Sequence, residues 1–127
     1  MRRALAVLAA AVLTGCASPR NSLNTPASTC FRGLPAAAAA VDHQAKLIGV
    51  RRARRTELVG KVPQASRIEP ESLCVIAYRG PFAAGDVPGA DPPGPGEYAM
   101  VALDPHGSHI LGTFVVDRLP LHFRHRA

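Results

Sequence analysis

Three apolar runs in the second half of the chain predict β-strands, at residues 73–78, 98–103 and 110–116. Each run is six or seven residues long, contains β-branched or aromatic residues, and is bounded by Gly, Pro or Asp. A turn-rich connector at residues 104–109 joins the last two runs, so they are expected to form an antiparallel hairpin. Alternating apolar residues at 119–123 predict a final short strand, at a sheet edge because the proline within it cannot donate to a ladder.

An amphipathic helix is predicted ahead of these strands, from about residue 35 to 47. Pro35 suits the first position of a helix, because its fixed φ and missing N–H cost nothing there. The alanines at 36–40 are strong helix formers. Apolar residues at helical spacing line one side: Leu34, Ala37, Val41, Ala45 and Ile48. We expect this helix to end near Gly49.

The stretch 50–59 fits neither a helix nor a central strand well. It carries Arg51, Arg52, Arg54 and Arg55. On a strand these arginines place charge on both faces, and on a helix Leu58 would fall among them. An exposed edge strand starting near Ile48 is the preferred interpretation. Residues 60–70 are then expected to form a loop that can include a short helical turn.

Residues 80–96 contain five prolines and five glycines, so no regular element is expected there. Loops of this length inside a compact domain are often functional or disordered, and a tolerated insertion explains the composition equally well. The whole pattern predicts an α+β domain, with an N-terminal helix packed on a three- to four-stranded antiparallel sheet.

The beginning of the chain has the pattern of a bacterial export signal, in which Arg2 and Arg3 precede an apolar run at 4–13. This run is too short for a membrane-spanning helix, which needs about 20 apolar residues. The run leads into Leu13-Thr14-Gly15-Cys16, which resembles the lipobox of bacterial lipoproteins. The resemblance implies that the Cys16 thiol receives diacylglycerol, that the chain is cut before Cys16, and that the new amine is acylated.

The same resemblance implies that residues 1–15 are the lipoprotein signal peptide and bears on the location. The polar composition of 16–29 predicts a tether, and 30–127 are expected to form a single small α+β domain. Two or more acyl chains anchor a protein stably to a membrane. Ala17, where lipoproteins kept in the inner membrane often carry Asp, implies the outer membrane facing the periplasm in a Gram-negative host. A plain signal peptide with a chance cysteine is the alternative.

The charge of the mature chain is mildly basic. Once Arg2 and Arg3 are removed, 13 basic residues face 9 acidic ones, a net charge of +4. This charge suits an anionic membrane surface or envelope polymer and is too weak to indicate nucleic acid, which an exported protein would rarely meet.

The cysteines extend the argument, because lipid on Cys16 leaves Cys30 and Cys74 as an even pair in an oxidising compartment. We predict that they form a disulfide, which would close a loop of about 45 residues and contribute roughly 3–4 kcal/mol. It would fasten the helix to the first apolar strand. Two buried free thiols are the alternative.

Candidate chemistry is sparse. His106 and His109 lie three residues apart in the hairpin connector beside Asp104, and could bind zinc or copper weakly. His122 and His125 show the same spacing near the C-terminus. Two solvated histidines in a turn are the favoured alternative. We expect no cofactor and no enzymatic activity, because the chain has no G-x-S-x-G elbow, no free cysteine and no paired carboxylates.

The basic residues suggest a binding surface. Arg51, Arg52, Arg54 and Arg55 could form one patch with Arg118, Arg124 and Arg126 if both segments are edge strands. Anionic headgroups or an acidic partner would fit such a patch, whereas a solvated edge that resists aggregation is the simpler interpretation. A strand edge could also take up a partner's strand.

The expected function is that of a lipid-anchored envelope lipoprotein, a non-enzymatic accessory or scaffold that binds another envelope component. A periplasmic metal or small-ligand binder that uses the hairpin histidines is the alternative. The order of anchor, tether, helix and strands, with the strand–Asp-x-x-Gly–strand hairpin at Asp104 to Gly107, is similar in outline to small outer-membrane assembly lipoproteins. This similarity implies no site residues.

Overall fold

The computed structural model describes residues 28–42 and 45–123. A 3₁₀ helix at Ser28–Gly33 leads into helix α1 at Leu34–Val41. The remaining elements follow in the order β1 (Lys46–Arg54), α2 (Arg55–Val59), a second 3₁₀ helix (Pro63–Arg67), β2 (Ser72–Phe82), β3 (Gly96–Leu103) and β4 (Ile110–Val116). The export signal, Cys16 and most of the expected tether lie outside the described residues.

The four strands form one antiparallel sheet in the order β1-β2-β3-β4. Its centre pairs Ile76 of β2 with Val101 of β3, and Met100 of β3 with Phe114 of β4. The sheet and the helix ahead of it confirm the predicted α+β class. The predicted β3–β4 hairpin is also confirmed, since these two neighbouring strands pair antiparallel.

Both faces of this sheet are covered, which explains why its central strands are continuous apolar runs. Every residue from Leu73 to Tyr78 is buried, although neighbours on a strand point to opposite faces. On one face α1 contributes Ala37 and Val41, packed with Ile76 and Val101. The other face carries a second cluster, to which α2, the second 3₁₀ helix and the C-terminal segment contribute Leu58, Val62, Ala65 and Leu121.

Helix α1 is shorter than expected, ending at Val41 rather than near residue 47. Asp42 adopts a left-handed conformation, φ 45° and ψ 47°, and its N–H donates to the Ala38 carbonyl at 3.1 Å. Asp is one of the few residues besides glycine that tolerate this conformation, so the helix stops there. Gly49 has a different role in β1: a Cβ on it would lie 3.0 Å from Cδ1 of Phe123.

The basic stretch is an edge strand only in part. Residues 46–54 form β1 at the edge of the sheet, as predicted, but the expected continuation of the strand to Val59 is wrong. Arg55–Val59 instead form α2, because Leu58 is fully buried against the sheet and the Glu57 carboxylate accepts the N–H of Arg54 at 3.0 Å. The helical turn expected between 60 and 70 corresponds to the second 3₁₀ helix.

The predicted final strand at 119–123 is also wrong, because this segment pairs with no strand. Its apolar residues instead pack on the face of the sheet that α2 covers, where Leu121 is buried and Leu119 and Phe123 are partly buried. The alternating pattern therefore reflects contact with a surface rather than strand pairing.

The Pro- and Gly-rich stretch is shorter than expected, because β2 continues to Phe82 and β3 begins at Gly96. Within the irregular segment 83–95, Val87 is buried in the core. The segment then runs along the outer edge of β4, where the Asp91 N–H donates to Thr113 and Pro92 accepts from the Val115 N–H, both at 2.9 Å. This loop is thus part of the fold, and it covers one edge of the sheet.

The β3–β4 turn packs against the first 3₁₀ helix through Gly107, which predicts a site-specific loss of stability. Gly107 has φ +72°, and a Cβ there would lie 2.9 Å from the Thr29 carbonyl oxygen. Gly107→Ala should lower the free energy of unfolding by at least about 2 kcal/mol, from backbone strain and this clash. Gly89→Ala is the matched control, since Gly89 also has positive φ (+75°) but open space around it. It should cost only about 1 kcal/mol in urea unfolding. Equal losses would show that the turn does not press on Thr29.

Candidate functional site: the open edge of the sheet

Cys30 and Cys74 are joined in a disulfide, with a Cα–Cα distance of 5.3 Å. Both residues are fully buried. Cys30 belongs to the first 3₁₀ helix and Cys74 to β2, so the bond fastens the segment that leads into α1 to the middle of the sheet. This is the pairing that the number of cysteines predicts, and it joins the two elements expected.

Arg52 completes the same corner of the molecule from β1. It lies opposite Cys74 in the strand register. Its guanidinium donates from Nη2 to Thr29 Oγ1 at 3.0 Å and to the Pro105 carbonyl at 3.2 Å, and from Nη1 to Ser72 Oγ at 3.3 Å. One half-buried cation thereby connects three elements: the first 3₁₀ helix, β2 and the β3–β4 turn. Neither Thr29 nor Ser72 was expected to take part from the sequence.

The other arginines of the stretch point elsewhere. Arg51 donates from Nη1 to the His122 carbonyl at 3.0 Å and from Nη2 to Glu57 Oε1 at 3.0 Å. Arg55 donates to the carbonyls of Ile68 and Glu69, both at 2.8 Å. Because Arg51 and Arg52 are adjacent on a strand, their side chains leave from opposite faces.

The single basic patch expected from these arginines is therefore divided between the two faces. Arg118 does not join it, because it lines a crevice with Val115 and Val116 beside β4, at the opposite edge of the sheet. Arg124, Arg126 and His125 lie outside the described residues, as does Cys16.

What remains at this edge is a basic strand with one open side. β1 has the sequence KLIGVRRAR, with four basic residues and no acidic one. Among the described residues, no backbone hydrogen bond joins β1 to any segment on the side away from β2. Two of its cations, Lys46 and Arg54, are exposed and pair with no carboxylate in the described part of the chain. Lys46 falls within the helix that the sequence predicts, so its place on this edge could not be predicted from the sequence.

Two clefts open along this strand. One, of about 590 Å³, is lined by Arg52, Ala53 and Arg54 of β1 together with Glu57, Glu71 and Ser72. A smaller one, of about 260 Å³, is lined by Gly49, Val50 and Arg51 with His122 and Phe123. Because a Cβ on Gly49 would lie only 3.0 Å from Cδ1 of Phe123, the glycine lets the Phe123 ring pack closely on β1 at the bottom of the second cleft.

The hairpin histidines are held by a turn rather than gathered into a metal site. The Asp104 carboxylate accepts the N–H groups of His106, Ser108 and His109 at 2.9 to 3.2 Å, and His109 Nδ1 lies 3.2 Å from Asp104 Oδ2. Within residues 28–42 and 45–123, no three His, Cys, Asp or Glu side chains are grouped so that they could hold a metal ion. In this turn the Asp104 carboxylate stabilises the backbone by accepting three of its N–H groups.

These hydrogen bonds also shift the acidity of Asp104. The N–H of Ser108 has the largest effect, followed by the His109 side chain and the N–H groups of His106 and His109, and together they lower the pKa of Asp104. Partial desolvation opposes the shift without reversing it.

Comparison with known proteins gives no family for this chain. No family model matches it, and neither a curated protein nor a solved structure matches it significantly. In the part of the chain that the structure describes, no helix has the length and hydrophobicity needed to span a bilayer.

The contacts of Arg52 predict that this residue is structural and that Arg54 is not. Arg52→Gln should lower the free energy of unfolding by about 2 kcal/mol, because three acceptors lose a charged donor. Arg54→Gln removes the same charge from the same strand and should stay within about 0.5 kcal/mol of the parent. Urea unfolding of both variants measures the difference. If Arg52→Gln is as mild as Arg54→Gln, the corner does not depend on the guanidinium.

The turn predicts a pH-dependent contribution from Asp104. Its folded pKa is lowered, so its contribution to stability is present above the unfolded pKa of about 3.9 and is lost as pH falls through the folded pKa. Asp104→Asn should therefore destabilise the protein at neutral pH, and its difference from the parent should narrow below about pH 4. Asp117→Asn is the control, since Asp117 is exposed and accepts no hydrogen bond from a described residue. A difference that is constant with pH in denaturant unfolding would contradict the assignment.

Proposed function

We propose that this chain is a lipid-anchored lipoprotein of the bacterial cell envelope that binds another envelope component and catalyses no reaction. The lipobox at Leu13 to Cys16 supplies the anchor. The observation of the structure that carries the proposal is the buried disulfide between Cys30 and Cys74. Disulfides persist in oxidising compartments, and an export signal leads to such a compartment.

The binding role is supported by the surface that remains after the fold is complete. The arginines at the corner and the carboxylate in the β3–β4 turn are used by the fold, through the contacts of Arg52, Arg55 and Asp104. The hairpin histidines, the basis of the alternative metal-binding role, gain no support from an arrangement of three ligands among the described residues. A basic strand edge remains, and an edge of this kind can bind an extended peptide by strand addition.

Lipidation is the test of the anchor. The full-length chain is produced in a bacterial host that is fed an alkyne analogue of palmitate, and the labelled protein is detected after fractionation of the cells. We expect label in the protein, residence in the membrane fraction, and loss of both in Cys16→Ser. Cys30→Ser with Cys74→Ser is the matched control, because it removes the other two cysteines without touching the lipobox and should retain the label. Equal labelling and membrane residence of Cys16→Ser would contradict the proposal.

The binding role is tested in the same cells. Chemical cross-linking before lysis, followed by purification through a C-terminal affinity tag, should yield a discrete cross-linked species with the wild-type chain. The species should be lost in Cys16→Ser, which removes the protein from the membrane surface. A wild-type chain that yields no cross-linked species would contradict a binding role.

A further inference from the structure

The two edges of the sheet differ in a way that indicates what the open one binds. The outer edge of β4 is covered at Thr113 and Val115 by the chain itself, through the hydrogen bonds of Asp91 and Pro92. The outer edge of β1 has no such cover from any described residue. An open edge presents a row of unpaired N–H and C=O groups and is a template for another strand.

The charge of β1 selects the kind of strand. Lys46 and Arg54 are exposed cations without an ion-pair partner in the described ranges, and Arg51 shares only one pair, with Glu57 at 3.0 Å. No acidic residue lies on the strand. A second copy of β1 laid antiparallel along the edge would bring basic residues opposite basic residues, which is destabilising. A strand with acidic residues would instead place opposite charges across the pair, which is stabilising.

The two clefts fit the alternation of side chains on an added strand. Successive side chains of a strand point to opposite faces. Those on one face would meet the cleft that contains Arg52, Arg54 and Ser72, and those on the other would meet the cleft floored by Gly49 and Phe123. The first cleft also contains Glu57, which pairs with Arg51, and Glu71, so a carboxylate of the added strand would bind there through the exposed Arg54. The second cleft, with an aromatic floor, accepts apolar side chains.

From these observations we propose that the outer edge of β1 binds, by strand addition, an extended segment of a partner protein in which acidic and apolar residues alternate. The proposal rests on the proposed function, since it names the chemistry of the envelope component that the lipoprotein binds. Main-chain hydrogen bonds supply the affinity in this mode, and the clefts supply the selectivity.

The test uses the full-length lipidated chain in detergent micelles and a synthetic peptide. The peptide has about eight residues, the length of an ordinary strand, with glutamate and valine in alternation and a fluorescent label. Fluorescence anisotropy measures binding, and hydrogen–deuterium exchange locates it. We expect saturable binding that weakens with added salt, together with slower exchange in β1 and not in β4.

Paired variants separate the edge from charge in general. Lys46→Gln with Arg54→Gln should weaken binding about tenfold, a loss of about 1.4 kcal/mol. Lys61→Gln with Arg118→Gln is the control, because it removes two exposed cations beside β4 and should leave the affinity within about twofold. A peptide with N-methyl groups on alternate amides keeps its charges but cannot pair with a strand, so it should not bind. Thermal unfolding verifies that each variant is folded.

Three outcomes would overturn the proposal. Equal losses in the two pairs of variants, or equal binding of the N-methylated peptide, would show attraction by charge alone. Absence of peptide binding, with binding to phosphatidylglycerol vesicles that is lost in Lys46→Gln with Arg54→Gln, would assign the edge to the membrane instead. These outcomes are independent of the palmitate assay. Failure of peptide binding at β1 would therefore not contradict the lipid anchor at Cys16, and loss of the anchor would still leave peptide binding measurable.

Discussion

Burial of β2 and β3 on both faces is the constraint on which the rest of this structure depends. A single antiparallel sheet commonly leaves one face to water, but here each central strand is apolar on both sides and needs two covers. Helix α1 supplies one of them. The other is assembled from α2, the second 3₁₀ helix and the segment that contains Leu121. The short elements that surround the sheet are therefore explained by what they cover.

The cover that contains α1 is reinforced at one corner by a covalent bond and a charged hydrogen-bond donor. There the disulfide joins the first 3₁₀ helix to β2, and Arg52 reaches the same helix and the β3–β4 turn. Helix α1 has eight residues, mostly alanine, and offers few large side chains to the core. A covalent bond and a charged hydrogen-bond donor compensate for this small apolar contribution, because so short a helix has little stability of its own.

Several features of this fold could be predicted from the sequence, and their physical reasons are local. The strands at 73–78, 98–103 and 110–116 are bounded by turn residues, and the β3–β4 turn has Asp104 and Gly107 where such a turn needs them. The predictions are wrong where one pattern of apolar residues has two possible physical origins. Ala45 and Ile48 fit the spacing of a helix, but Ala45 directly precedes β1 and Ile48 lies within it. The alternation at 119–123 fits a strand, but these residues pack on the face of the sheet without pairing.

The candidate site also has features that could be predicted from the sequence and features that could not. The sequence indicated a basic edge strand and a pairing of Cys30 with Cys74, because charge and cysteine count can be read directly. It could not indicate which arginines the fold itself uses, since the acceptors of Arg52 and Arg55 come from distant parts of the chain. Only after those contacts are assigned do Lys46 and Arg54 stand out as cations that the described fold leaves available.

The segment that lies along β4 also limits how this protein can associate. Repeated assembly through strand pairing needs two complementary edges on every molecule, so that each copy can both receive and present one. Here Asp91 and Pro92 already hold the Thr113 and Val115 positions of β4. A strand added at β1 would therefore extend the sheet without starting a fibre, which limits occupancy to one added strand per molecule.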